Sequence, residues 1–301
     1  MSNLIILFLC FALGILLRAT RRLPENAAAV LNAFIVNVSL PALAISLLHS
    51  VEMKSDMLVA ASMPWVVFVL SGAIILVLAK VFHWSKAVTG CLILTAGLGN
   101  TSFVGFPLLE MFYGPDALKE GIVIDQGGSF LVLSTFGIMA ASIYSSRDIS
   151  PLAMLKRIVL FPPFIAAILG LASHGLAVPV VVMTALDRLG GTLVPLALFS
   201  VGFQLRFDKA ALGRLQLPLG FGLTLKLLVV PAMIYAVYAT AMAHGKLSFD
   251  ILVLEAAMPP MITGAIIASD HDLAPELASL MVGIGIPFGI ASVSLWHWLL
   301  S

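Results

Sequence analysis

Apolar windows with almost no charge recur along nearly the whole chain, at about residues 3–18, 26–48, 57–80, 88–113, 119–144, 157–174, 179–205, 216–243, 247–269 and 275–300. A helix crossing the hydrocarbon core of a bilayer takes roughly 20 apolar residues. Ten such spans and their short connections use up almost all of the 301 residues. No water-soluble core disposes of that much apolar surface: 61% of the residues are apolar and 10% charged, against about 45–50% and about 25% in soluble domains. The predicted fold class is therefore an all-α polytopic membrane protein with ten transmembrane helices. No length remains for an extramembrane catalytic or DNA-binding domain, and a net charge of +1 offers nucleic acid no basic face.

The cations set an orientation. On alternate sides of the ten-span map, one side collects Arg18, Arg21, Arg22, Lys80, Lys86, Arg147, Lys156, Arg157, Arg206, Lys209 and Arg214, and the other only Lys54, Lys119 and Lys246. By the positive-inside rule the richer side is cytoplasmic. Both termini are then outside, with a cytoplasmic linker over residues 145–156. The first apolar run has no basic residue before it and three arginines after it, which suits a spanning helix better than a signal peptide. Cys10 and Cys91 lie inside apolar runs and read as small hydrophobes.

The two halves of the chain are related. Leu92 to Leu118 aligns with Leu252 to Ala278 at an offset of 160, setting Gly114-Pro115-Asp116 on Ala274-Pro275-Glu276. The second and seventh windows align at an offset of 154, setting Pro41 on Pro195 and Ser46 on Ser200. Five spans per repeat is an odd number, so the second copy enters the membrane from the opposite face. Residues 1–144 and 157–301 are predicted as inverted five-helix repeats, an architecture of alternating-access carriers that bind substrate near the midplane.

Where the fourth and ninth windows reach mid-bilayer, both are interrupted. Gly97-Leu98-Gly99-Asn100-Thr101-Ser102 and Met258-Pro259-Pro260 each begin about 10 residues in, roughly 15 Å deep at 1.5 Å per residue. Glycine favours unwinding, and tandem prolines remove two donors and clash with the preceding turn. Such breaks persist in hydrocarbon only where they are buried in protein or line a cavity. Asn100, Thr101 and Ser102 are cap types and Pro260 suits a first helical position, so each second half-helix is predicted to start there. Two positive helix ends make an anion site, while carbonyls near Gly97 and Ala257 suit a cation.

Three charges fall inside spans: Asp125, Lys226 and Glu255. Left unpaired at the bilayer centre they would together cost on the order of 10 kcal/mol, so partners or water are required. Glu255 lies one turn before Pro259, on the face of the break. A charge relay coupling transport and a structural ion pair both fit these residues. Other chemistries lack their residues. The six histidines, His49, His83, His174, His244, His271 and His297, lie in loops or near helix ends without an HExxH pair, and the chain has no nucleophile elbow, P-loop or dinucleotide fingerprint. No enzyme activity, metal site or cofactor is predicted.

In order along the chain, Leu31-Asn32 through Val38-Ser39-Leu40-Pro41-Ala42-Leu43, Gly99-Asn100-Thr101-Ser102-Phe103-Val104-Gly105-Phe106-Pro107, Ile124-Asp125-Gln126, Glu255-Ala256-Ala257-Met258-Pro259-Pro260 and Asp272-Leu273-Ala274-Pro275-Glu276 resemble the auxin efflux carrier family, to which the plant PIN-type carriers belong. The resemblance covers essentially the whole chain and matches a prokaryotic member. It implies a fold shared with bile-acid sodium symporters and some sodium/proton antiporters, with crossing broken helices at the substrate site. It also implies transport of small organic anions: malonate or other carboxylates in bacterial relatives, auxin in plant ones. Plant carriers place a proline directly after the asparagine of the first break, whereas Thr101 follows Asn100 here and the nearest proline is Pro107. The large hydrophilic loop of the long plant forms is also absent, and auxin is not carried over as the physiological substrate.

The expectation is a carrier of the inner (plasma) membrane for a small organic anion. Gly99, Asn100, Thr101, Ser102, Pro259, Pro260 and Thr263 would bind substrate, and Asp125, Glu255 and Lys226 would handle coupling to H+, to Na+ or to the membrane potential alone. A cation antiporter on the same fold is the rival within the class, and a non-transporting membrane sensor the rival outside it. The partners are the bilayer and the substrate; a homodimer is allowed.

Overall fold

The computed structural model describes residues 2–145, 150–204, 209–240, 242 and 247–301. Arg147, Arg206, His244, Lys246 and part of the expected linker lie outside the described residues. The described residues form helices joined by short connections: α1 (Ser2–Ala19), α2 (Ala27–His49), α3 (Ser55–Val81), α4 (Lys86–Ala96), α5 (101–113), α6 (Ala117–Ser145), α7 (Pro151–Val159), α8 (Pro162–Ala172), α9 (Val180–Gln204), α10 (Ala211–Tyr238), α11 (Leu247–Ala257), α12 (Ile262–Asp270) and α13 (Pro275–Leu300). Among the described residues no strand forms; an isolated bridge joins Gly99 to Pro260. The helices follow the apolar windows closely. The sixth differs, because Pro162 and Pro163 start a new helix and leave Pro151–Val159 as a separate one.

Six helices, α2, α3, α6, α9, α10 and α13, are long and apolar enough to cross a membrane. Large apolar side chains such as Val77, Ile143, Val181, Phe288 and Trp298 point outward. Water would oppose that surface, whereas lipid tails are as apolar as the side chains themselves. The chain is a polytopic, all-helical membrane protein.

The described chain divides into two compact units, Met1–Lys54 with Ser102–Ile122 and Lys156–Leu205, and Ser55–Thr101 with Val123–Leu155 and Arg206–Ser301. Each draws on both halves of the sequence. In the first unit, α1 and α9 approach at Gly14 and Gly202, where an added methyl carbon would come within 2.2 Å of Phe199 O and 2.3 Å of Phe11 O respectively. Along α2 and α9 the polar contacts run antiparallel: Asn32 with Ser200, Ser39 with Thr192 at 2.7 Å, and Ser46 with Asp187. Adding 154 to the first member of the Asn32–Ser200 pair and subtracting it from the second gives positions 186 and 46, within one residue of the Ser46–Asp187 pair.

Proline shapes helices that continue past it. Pro41, Pro107 and Pro231 each stand two residues beyond a widened π turn, Ile35–Ser39, Thr101–Gly105 and Leu225–Val229; the last lies wholly in the second unit. A proline ring has no N–H for the carbonyl four residues back and collides with it. Widening the turn relieves the collision but frees that carbonyl. For Pro231 it is Leu227 O, which accepts from Ser292 Oγ at 2.7 Å and Trp296 Nε1 at 3.1 Å. The polar requirement of a kinked helix is thus met by α13, as it must be where water is excluded.

Candidate functional site

Both predicted interruptions exist, and within the second unit they meet. α4 stops at Ala96, with the amide of Gly97 still bonded to Ile93 O at 3.2 Å. α11 stops at Ala257, because neither Pro259 nor Pro260 has an amide hydrogen. Between the stumps the backbones pair antiparallel: Asn100 N–H donates to Pro259 O at 2.9 Å, and Met261 N–H to Leu98 O at 3.3 Å. These bonds satisfy groups that an unwound segment would otherwise leave bare in a low-dielectric interior. Gly99 has a second reason to lack a side chain, since a Cβ there would lie 3.1 Å from Lys226 Nζ.

Two details differ from the sequence expectation. Pro260 is not the first residue of its half-helix, which begins at Ile262 after an extended Met261; the bridge to Gly99 holds Pro260 in extended backbone. Thr101 does not turn its hydroxyl to its own helix start. It donates to Asp125 Oδ1, because the carboxylate is the stronger acceptor within reach.

The three embedded charges lie around this junction. Asp125, Lys226 and Glu255 are 2%, 1% and 1% exposed. Asp125 opens a π turn, Asp125–Ser129, Lys226 sits in another, and Thr101 opens a third; π turns are frequent at functional sites. The second oxygen of Asp125 accepts from Gln126 Nε2 at 2.7 Å. Lys226 donates to Ala256 O at 2.9 Å, so the terminal carbonyls expected to attract a cation attract the chain's own lysine. Glu255 feels the charges of both Asp125 and Lys226, yet neither of its oxygens has a hydrogen-bond partner. Among the described residues, no ion pair within 4.0 Å joins it to a cation.

Glu255, Lys226, Thr101, Ser129 and the Gly97–Gly99 backbone share a cavity walled by Met63, Pro64, Val67 and Ala256. Its volume of about 10 Å³ corresponds to roughly one water-sized particle. Gly99, Thr101, Lys226 and Glu255 are thus brought onto one cavity, with Asn100, Pro259 and Pro260 forming the backbone junction beside it. Ser102 and Thr263 sit half-buried in the first turns of the two second halves, and neither lines the cavity. Among the described residues, no group of three or more His, Cys, Asp and Glu side chains is placed to hold a metal ion.

A family model described as a membrane transport protein matches residues 1–297. The chain belongs to this family, the auxin efflux carriers its motifs resemble. It is similar to an uncharacterized transporter of Methanothermobacter thermautotrophicus, 28% identical over 289 residues that cover 94% of this chain and 93% of the relative. It is also similar to an uncharacterized transporter of Methanocaldococcus jannaschii, 26% identical over 290 residues, 92% of this chain and 91% of that one. A carrier, then, surrounds the junction with residues that sequence reasoning did not single out: Met63, Pro64, Val67 and Ser129. Ser129 had a readable signal, lying four residues after Asp125 and so on the same helix face. Met63, Pro64 and Val67 had none, because an apolar wall looks like any other apolar helix face.

Proposed function

We propose that this family member is a secondary carrier of a small organic anion of the carboxylate class, working by alternating access in the cytoplasmic membrane with both termini outside. The observation that carries this is the Gly99–Pro260 junction with the Lys226 ammonium beside it. Two half-helices start just past the junction, at Thr101 and Ile262. Their amide ends and the lysine supply positive charge toward one point, which suits a carboxylate. A space for one water-sized particle does not admit a dicarboxylate, so binding requires the lining helices to part, as alternating access demands. Ten spans in two inverted repeats are supported by the antiparallel contacts of α2 with α9 and of the two junction strands, each repeating under the offset seen in the sequence.

Counterflow in proteoliposomes with a panel of labelled mono- and dicarboxylates tests the proposal. Exchange of at least one carboxylate is expected, with affinity lost in Asn100→Ala. Unchanged affinity in that variant would remove the junction from the site. The cation-antiporter alternative is favoured by the two buried carboxylates and the small cavity; proton movement driven by sodium alone, with no carboxylate exchanged, would establish it instead.

A further inference from the structure

Where the sequence predicts a linker running into the sixth span, the structure has a separate helix. α7, Pro151–Val159, is strongly amphipathic. Leu152, Leu155 and Val159 recur at the spacing of one helix face, and each is more than half exposed, as is Leu160 just beyond. Lys156 is exposed beside them, and Arg157 follows it in the chain. Water disfavours these apolar side chains, and hydrocarbon disfavours the two cations. At 1.5 Å per residue the helix is about 14 Å long, half of what the hydrocarbon core requires, so it does not cross the membrane.

Nor does α7 run on into α8. Pro162 restricts the residue before it to extended backbone, and Phe161 is extended, with φ −73° and ψ 115°. The chain therefore turns between the two helices instead of following one axis. α8 is apolar and belongs to the first unit. It lies so close to α2 that a Cβ on Gly170 would come within 3.0 Å of Ala44 O, and its Ile165, Ile168 and Leu169 face outward. A short helix turned off the end of such an apolar helix, with one apolar face and cations beside it, suits the boundary between lipid headgroups and acyl chains. Resting on the cytoplasmic placement of this segment proposed above, we propose that α7 is an interfacial helix that binds the anionic headgroup layer of the inner leaflet. Leu152, Leu155 and Val159 enter the acyl chains, and the Lys156-Arg157 pair is drawn to the lipid phosphates, since anionic lipids of the cytoplasmic leaflet attract juxtamembrane Lys and Arg. The chain leaves the second unit at Leu155 and enters the first at Lys156, so the stretch that carries it from unit to unit is the stretch that the membrane surface holds.

Nitroxide labels on Leu155→Cys and Val159→Cys, in full-length protein carrying Cys10→Ser and Cys91→Ala, test this in lipid nanodiscs. Collision with oxygen, which concentrates in acyl chains, and with a water-soluble nickel chelate separates lipid-facing from water-facing labels. In discs containing phosphatidylglycerol both labels are expected among the chains. One Lys or Arg at an anionic surface is worth about fivefold. The lipid-to-water population ratio should therefore fall about fivefold in Lys156→Gln and about 25-fold in Lys156→Gln/Arg157→Gln. Replacing phosphatidylglycerol by phosphatidylcholine should have the effect of the double variant. Water-facing labels in the anionic discs, or a ratio that ignores both the double variant and the change of lipid, overturn the proposal. So does spectral broadening that disappears on dilution with unlabelled protein, which would place a second copy on the apolar face. Nanodiscs open both faces and need no substrate, so the result is independent of the carrier reading. Sidedness is measured in membrane vesicles with a membrane-impermeant maleimide on Ser150→Cys. Labelling from the cytoplasmic side is expected; labelling only from the outside overturns the orientation, and with it the choice of leaflet.

Discussion

Lys226 donates to Ala256 O at 2.9 Å, one residue along the chain from the Glu255 carboxylate, to which it makes no ion pair. The ammonium therefore compensates the end of α11 rather than an acid, and on the carrier reading proposed above its remaining N–H donors are what an incoming carboxylate would meet. A hydrogen bond to a charged group contributes about 1.5–3 kcal/mol, or about 10- to 100-fold in affinity. Lys226→Met is expected to weaken anion binding by that factor in counterflow. Lys226→Arg is expected not to restore it, since the cavity that residue 226 lines, about 10 Å³, has no room for a guanidinium. Wild-type affinity in Lys226→Met would take the lysine out of the site.

Thr101 and Asp125 tie the start of α5 to α6. In Thr101→Val the buried carboxylate loses a donor, at a cost of about 1.5–3 kcal/mol, read as a lower melting temperature in detergent. Thr101→Ser keeps the hydroxyl and should melt near wild type. Equal melting of the valine and serine variants would mean that the bond holds nothing.

The carbonyl freed by Pro231 has two donors, Ser292 and Trp296. Either Ser292→Ala or Trp296→Phe leaves one of them and should cost about 0.5–1.5 kcal/mol. The double variant strands a buried acceptor, so its loss is expected to exceed the sum of the singles by about 1 kcal/mol or more. Simple additivity in unfolding measurements would refute the shared role.

Close approach of α13 to the second break depends on Gly289, where a Cβ would fall 2.5 Å from Pro259 Cβ. Gly289→Ala should destabilise by about 1–3 kcal/mol through overpacking. Gly220→Ala is the control: nothing lies within 4 Å of its Cβ position, and alanine favours helix by up to about 1 kcal/mol. A Gly289→Ala protein as stable as the control would show that the helices separate at no cost.

At the start of α6, Lys119 donates to Asp116, just before the helix, at 2.8 Å and holds that exposed carboxyl below its ordinary value of 3.8. Because the folded value is the lower one, what the pair contributes is present above the ordinary value and disappears as pH falls through the lowered one. Exposed pairs are screened and contribute little. Lys119→Gln should let Asp116 titrate nearer its ordinary value by NMR while transport at neutral pH stays unchanged; a large loss of transport would assign the pair a role beyond the surface.

Much of the site was legible because its signals are local. Gly97, Gly99 and the Pro259-Pro260 pair announce broken helices from backbone chemistry alone, and Asp125, Lys226 and Glu255 stand out because charge inside an apolar window is costly. The exact start of the second half-helix was not legible: Pro260 reads as a helix start until Gly99 is known to hold it extended. Nor was the choice of Lys226 between an acid and a carbonyl, since a flexible four-carbon stem can turn to either.

The sequence by itself determined that the chain is a helical membrane protein, where its helices run, where two of them break and which few polar side chains have no water to turn to. Those properties follow from the hydropathy and backbone freedom of residues near one another in the chain. Only the tertiary structure decided that one break bonds to the other across some 160 positions, that Asp125 is saturated with donors while Glu255 has none, and that three apolar residues of α3 close the cavity. These outcomes depend on which groups meet through space, where a hydrogen bond made by one acid is no longer available to its neighbour.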